Sequence, residues 1–222
     1  MKTFDEKWEQ IHSEMEWGRY PSEEVIRFVA RNYYNRNRKN IRILDFGCGT
    51  GAVTWYLARE GFDAYGFDGS ETAINKAKIR IKEENVSADL RVADAGMLPY
   101  NDGSFDSVID SAVIYANNVS QISHILKQIY RVLKCGGKIF STGLFNEETT
   151  GFGTGEKIEN NTYRQLSKGC LANRGTVHFL TIDEIYKLWK MAGFKNIKID
   201  GVRRTDSGRE DIVSFYIVEA EK

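Results

Sequence analysis

At 222 residues the chain has room for one large domain, and a hydrophobic fraction of 41% beside 28% charged residues suits a globular protein with a real core. Lys+Arg and Asp+Glu both number 31. That balance argues against a broad nucleic-acid surface, where clustered cations would neutralise phosphates. Arg31, Arg36, Arg38 and Lys39 lie close together and read as a solvated helix end, where cations suit the macrodipole. Cys48, Cys135 and Cys170 are far apart, with no Cys-x-x-Cys pair and no nearby His, so neither a disulfide framework nor a metal site is expected. Met1 leads straight into Lys2, Asp5, Glu6 and Lys7, and no apolar run approaches the ~18 residues of a membrane span. The expectation is a cytoplasmic protein with no membrane or nucleic-acid partner.

In chain order, residues 1–40 read as a helical cover, with Ser22 capping a helix that turns Val25, Ile26 and Val29 inward. A β-rich run, Ile41 to Leu44, ends at Asp45 and the loop Gly47-Cys48-Gly49-Thr50-Gly51, with a helix from about Ala52 to Arg59 behind it. Ala64 to Phe67 reads as a second strand, closed by Asp68. Ser70 then caps a helix carrying Ala73, Ile74, Ala77 and Ile81 on one face. Leu90–Ala93 and Phe105–Ile109 are strands ended by Asp94 and Asp110. Ile122, Ile125, Leu126, Ile129, Val132 and Leu133 mark a helix over Gln121 to Leu133. Cys135-Gly136-Gly137 then turns into a strand at Lys138–Ser141.

Residues 143–180 show no clear periodicity and are too long for an idle connection, so a lid or substrate wall is expected there. A capping box, Thr181 with Glu184, starts a helix that Gly193 stops. Two strands, about Lys195–Asp200 and Ile212–Glu219, close the chain as an antiparallel hairpin around the polar stretch Thr205–Gly208. Strands alternating with helices predict a mainly parallel α/β sheet covered on both faces. The whole chain, 1–222, reads as a single domain.

Ligands of open α/β sheets bind outside the carboxyl ends of the strands. This sequence places an acid at that edge four times in succession: Asp45, Asp68, Asp94 and Asp110. Gly47-x-Gly49-x-x-Ala52 satisfies the weak Gly-x-Gly-x-x-Gly/Ala fingerprint, and Asp68 lies 19 residues past Gly49, near the spacing at which an acid meets ribose hydroxyls. An adenosine ligand follows. A dinucleotide would bring its diphosphate against the carboxylate of Asp45, a repulsion of ~4 kcal/mol at 4 Å and an effective dielectric near 20. For a nucleoside carrying a sulfonium and an ammonium the same interaction changes sign. The charge comparison favours the cationic ligand, with a nicotinamide-dependent oxidoreductase as the alternative.

The stretch Ile43-Leu44-Asp45-Phe46-Gly47-Cys48-Gly49-Thr50-Gly51 resembles the first motif of class I S-adenosylmethionine-dependent methyltransferases. Gly66-Phe67-Asp68-Gly69-Ser70 resembles their ribose-binding motif. Ala93-Asp94-Ala95, Leu98-Pro99 and Ser104-Phe105-Asp106 are similar to the third and fourth, and Leu133 to Gly137 to the turn before the fifth strand. The resemblance implies a Rossmann-like seven-stranded sheet of order 3-2-1-4-5-7-6, strand seven antiparallel. It implies that Gly47, Cys48 and Gly49 line the methionine moiety of S-adenosylmethionine and that Asp45 receives its ammonium. Asp68, with Gly69, would take the ribose, and Ser70 would cap the helix beside the adenine. Asp94 would accept from the adenine amino group, and the Ala95 N–H would meet a ring nitrogen. Asp110 and Ser111 would stand nearest the sulfonium.

On the acceptor side the candidates are Trp17, Arg19 and Tyr20 of the N-terminal cover, Tyr115, and His178, whose flanking Val177 and Phe179 favour a structural place in a strand. Phe145, Phe152, Tyr163 and Phe179 read as pocket wall or core. Transfer from a sulfonium needs no protonation of the leaving group, and no catalytic residue is assigned, because none of the possible bases His178, Tyr115 and Asp110 has a fixed spacing to support it. After the fourth strand, Asp110-Ser111-Ala112-Val113 lacks the [Asn/Asp]-Pro-Pro-aromatic tetrad of methyltransferases acting on amino groups of bases or glutamine. A small-molecule acceptor fits best, and a non-catalytic binder of the same cofactor remains a second alternative.

Overall fold

The alternating apolar segments close into one seven-stranded sheet in the computed structural model, which describes residues 1–222. Two helices come first, α1 (Lys7–Glu14) and α2 (Glu23–Tyr33). Ser22 has the extended backbone of an N-cap but its hydroxyl accepts no cap bond, and Glu23 and Glu24 carry the first turn instead. The buried side of α2 is Val25, Phe28, Val29 and Tyr33, whereas Ile26, expected inward, is exposed. The i, i+3, i+4 rule holds with Phe28 in place of Ile26.

The main sheet is then laid down as β1 (Arg42–Phe46), α3 (Ala52–Arg59), β2 (Asp63–Asp68), α4 (Glu71–Glu83), β3 (Asp89–Val92), β4 (Phe105–Ser111), α5 (Val119–Val132) and β5 (Leu133–Phe145). After β5 come β6 (Glu156–Glu159), β7 (Thr162–Arg164), β8 (Thr176–His178), α6 (Ile182–Ala192), β9 (Lys195–Asp206) and β10 (Asp211–Glu221). The sheet order is β3-β2-β1-β4-β5-β10-β9, with β10 antiparallel to both β5 and β9. Counting main-sheet strands alone, this is 3-2-1-4-5-7-6, as the resemblance implied. Neighbouring parallel strands need a covering crossover, which α3, α4 and α5 supply. No helix is long and apolar enough to cross a membrane.

Strand alternation divides the core between the two faces. Leu44, Phe46, Val108 and Ile139 pack under α5 and α6, while Ile43, Ile109 and Phe140 pack under α2, α3 and α4. Ile122, Ile125, Leu126, Ile129 and Val132 of α5 are fully buried, each contributing ~1.5–3 kcal/mol of transfer free energy. The helix starts earlier than periodicity alone predicted. Asn118 accepts from the Gln121 N–H while the Gln121 side chain accepts from the Asn118 N–H, a reciprocal cap that lies outside the apolar repeat.

Residues 143–180 hold more order than their composition predicted. They form a separate antiparallel sheet, β6-β7-β8. Phe152 and Phe179 meet edge to face at 5.1 Å and Phe152 and Tyr163 at 5.5 Å, so these three rings are the small core of the insertion. The closing hairpin is also longer than predicted. Thr205 and Asp206 still belong to β9, and only a short turn around Ser207–Arg209 reverses the chain.

Candidate active site

A cavity of about 450 Å³ opens at the carboxyl ends of the parallel strands, where β1 and β4 leave in opposite directions. One end is lined by the β1–α3 loop, Phe67, Asp68, Gly69, Ala93 and Ala95, the other by Tyr115, Phe145, Leu171, Val213 and Phe215. Residues of the N-terminal cover, among them Phe4, Trp8, His12, Trp17 and Tyr20, form its roof.

The loop is tied down by its own amides. Cys48 N–H donates to the Phe67 carbonyl, Gly49 N–H to Asp68 Oδ2 at 2.9 Å, and Gly51 N–H to the Cys48 carbonyl. Gly47 has φ +65°, and a Cβ there would lie 2.6 Å from a Val113 methyl, so only glycine lets the chain turn beneath Val113. The Cys48 thiol is buried and pushed well above its usual value by that burial, which makes it an inert wall residue.

Asp68 stands beside the loop with a defined acceptor capacity. Its Oδ2 accepts from Gly49 N–H and its Oδ1 from Ser70 N–H, both at 2.9 Å. An ionised carboxylate has about four lone-pair sites, so roughly two remain free. Burial raises its pKa against the pull of those two N–H groups and of His12. Ser70 is buried, and its hydroxyl accepts from Ala73 N–H as the cap of α4.

Asp45 lines the cavity but is partly committed elsewhere. Its Oδ2 accepts from the N–H and the hydroxyl of Thr54 at 2.8 and 2.7 Å, while Oδ1 has no protein donor. Burial pushes its pKa up to about 7, so near neutral pH it is not the plain anion that the charge comparison assumed.

Two of the strand-end acids do not reach the cavity. Asp94 does not line the cavity, because Thr3 N–H, Thr3 hydroxyl, Phe4 N–H and Gly96 N–H all donate to it. Burial disfavours the charge of Asp94, but those donors outweigh it and hold its carboxyl below the usual range. Four donors fill the four acceptor sites, leaving none for an adenine amino group. Asp110 is fully buried, with Oδ1 accepting from Val113 and Ile114 N–H and Oδ2 unpartnered, and only the adjacent Ser111 reaches the cavity. Burial pushes the Asp110 carboxyl up to about 7.

The acceptor-side candidates divide in the same way. Trp17, Tyr20 and Tyr115 line the cavity. Arg19 instead points at Glu84, 3.9 Å away on the surface. His178 is buried outside the cavity, its Nδ1 2.7 Å from the Thr162 hydroxyl and its Nε2 2.9 Å from Glu184 Oε2. Glu184 is thereby drawn out of the expected capping box, and Thr181 caps α6 alone. Of the four insertion-side aromatics, only Phe145 reaches the cavity.

Sequence reasoning passed over His12. It is buried over the loop, its ring carbon 3.4 Å from where a Gly49 Cβ would sit, beside Asp68 and Glu9. Burial holds it below the usual imidazole value despite those two carboxylates. Its i, i+4 spacing from Trp8 was the available signal.

Residues 43–137 match the family model for a methyltransferase domain. That stretch is similar to a methyltransferase domain. The matched stretch holds the loop, the four strand-end acids and Tyr115, while the roof and the rest of the far end of the cavity lie outside it. An uncharacterized methyltransferase of Synechocystis is 35% identical over 96 residues, 43% of this chain and 43% of that protein. A ubiquinone biosynthesis O-methyltransferase of Roseobacter denitrificans is 29% identical over 73% of this chain and 63% of its own. The chain thus spans about half the length of the curated relatives it matches. A solved S-adenosylmethionine-dependent methyltransferase of Methanosarcina mazei superposes with a TM-score of 0.72 at 22% identity, covering 87% of this chain and 96% of that one. The chain therefore shares its overall fold with that structure.

Proposed function

We propose that the protein is a class I S-adenosylmethionine-dependent methyltransferase of the cytoplasm, a single domain acting on a small-molecule acceptor that is not a nucleic acid. The observation that carries this reading is Asp68: a buried carboxylate with about two unused acceptor sites, beside a loop in which the Cys48, Gly49 and Gly51 amides are already taken. Two ribose hydroxyls match the free sites of Asp68. A dinucleotide would need the loop N–H groups for its diphosphate, and Gly49 N–H faces a carboxylate instead.

S-adenosylmethionine supplies an electrophilic methyl group on a sulfonium. Asp68 holds the ribose through its hydroxyls, with Gly69 beside it. The Ala95 N–H makes no hydrogen bond within the protein and lines the cavity, so it is free to donate to a ring nitrogen of the adenine. Gly47, Cys48 and Gly49 enclose the methionine end, where a nearby ammonium would favour the ionised form of Asp45. Ser111 and Tyr115 line the cavity, and the insertion 143–180 and the N-terminal roof contribute to its walls. Alignment of donor and acceptor in such an enclosure contributes ~7–11 kcal/mol, and no general base is needed for an acceptor already in its nucleophilic form. Burial raises the pKa of Tyr115, so its hydroxyl stays protonated and positions rather than deprotonates. The ubiquinone-biosynthesis relative supports a small-molecule acceptor.

Calorimetry with S-adenosylhomocysteine, paired with thermal shift against reduced nicotinamide dinucleotide, tests the reading. Binding of the first and indifference to the second are expected. A melting increase with the dinucleotide alone would sink it.

A further inference from the structure

The cavity is electrically divided. Four carboxylates line it: Asp45 and Asp68 at the loop end, formed by the β1–β2 half of the sheet, with Glu24 of α2 and Asp5 of the N-terminal roof. At the opposite end, formed by β5, β9, β10 and the insertion, stand Arg174 and Arg204. Neither guanidinium is within ion-pair distance of any carboxylate, and neither donates a hydrogen bond to the protein, although the structure holds thirteen ion pairs. The contrast on β9 is direct: Arg203, facing away, pairs with Glu148 at 2.9 Å, while Arg204, its neighbour on the cavity face, has no partner.

Strand register explains why Arg204 faces inward. It lies opposite Val213 on β10, and Val202 lies opposite Phe215, so one face of this hairpin presents Val213, Phe215 and Arg204 to the cavity. Arg174, from the insertion, is half-buried with its Cζ 4.9 Å from the Trp17 ring centre, a cation–π contact. The acids at this end are engaged: Asp206 Oδ1 accepts from Ser207 N–H, and Asp5 accepts from Lys7 N–H and the Thr176 hydroxyl. Between the arginines and the loop run apolar walls, with Tyr115 and Phe145 edge to face at 4.9 Å and Phe145 and Phe215 at 5.9 Å.

We propose that the methyl acceptor is a small anion with an apolar or aromatic body, whose carboxylate or phosphate is held by Arg174 and Arg204. This rests on the methyltransferase reading of the same cavity. Two planar forks suit either oxyanion, and the apolar stretch between them and the loop seats the body that carries the nucleophilic atom. The charge division then orients both ligands, cation at the acidic end and anion at the basic end.

The test is calorimetry on protein saturated with S-adenosylhomocysteine, titrated with phenyl phosphate, benzoate and neutral benzyl alcohol. The saturation step reads the methyltransferase proposal by itself. At least one anion is expected to bind about tenfold tighter than the alcohol, and the stronger of the two separates a phosphate from a carboxylate acceptor. Arg204→Gln and Arg174→Gln should each weaken the anion about tenfold while leaving the alcohol unchanged, because a charge-assisted hydrogen bond is worth about that factor. Arg204 is exposed on a strand, so its substitution leaves folding intact. Equal binding of anion and alcohol, no binding of either anion, or a charge preference that survives both substitutions would overturn the proposal.

Discussion

Asp68→Ala removes two kinds of hydrogen bond at once, and they are measured separately. In the folded chain the carboxylate accepts from Gly49 and Ser70 N–H. An N–H left unpaired in a dry site costs about 1–3 kcal/mol. Water from the adjoining cavity can reach these two, so the low end applies and together they give about 2 kcal/mol. In a domain of this size 1 kcal/mol moves the melting point by roughly 2–4 °C, which makes the expected fall roughly 4–8 °C. Loss of the ribose acceptor comes on top, as ~1–3 kcal/mol of S-adenosylhomocysteine affinity, from about fivefold to over a hundredfold. Asp68→Asn is intermediate, because its carbonyl keeps one N–H bond while its amide group faces the other donor. Scanning calorimetry reads the first effect and titration calorimetry the second. A variant that melts lower yet binds S-adenosylhomocysteine like the wild type would refute the ribose assignment and leave Asp68 as a loop anchor.

Asp110 supplies a pH signature. Its pKa of about 7 in the fold lies above the ordinary 3.8, so between those values the unfolded chain ionises while the folded chain keeps its proton. Its contribution to stability is therefore full below about pH 4 and lost as pH rises to about 7. Asp110→Asn should raise the melting point at pH 8 and lose that advantage toward pH 4, and a pH-independent difference would contradict a neutral buried acid. At Gly69 a Cβ would collide with the Phe4 ring. Gly69→Val should thus speed hydrogen exchange at the Thr3 and Phe4 amides held by Asp94, and unchanged protection would mean that the roof does not rest there. His178→Ala should cost about 2–4 kcal/mol of stability by stripping Thr162 and Glu184 of a buried partner, with S-adenosylhomocysteine affinity unaffected. A loss of that affinity without destabilisation would restore His178 to the cavity.

The amino-acid sequence alone determined the order of strands and helices, the position of the glycine loop and the edge at which acids gather. These are local properties: period-two and period-3.6 apolar repeats, turn residues and spacing along one strand–loop–helix unit report on neighbours within a few residues. It did not show what each acid touches. Asp68 and Asp94 look equivalent in sequence, yet one keeps free acceptor sites and the other is filled by Thr3 and Phe4, some 90 residues away. His12 above the loop, the withdrawal of His178 and Arg19, the β6–β8 sheet and the two unpaired arginines were likewise decided by tertiary structure. Each depends on contacts between distant segments, and hydrogen-bond capacity is divided only when those segments meet.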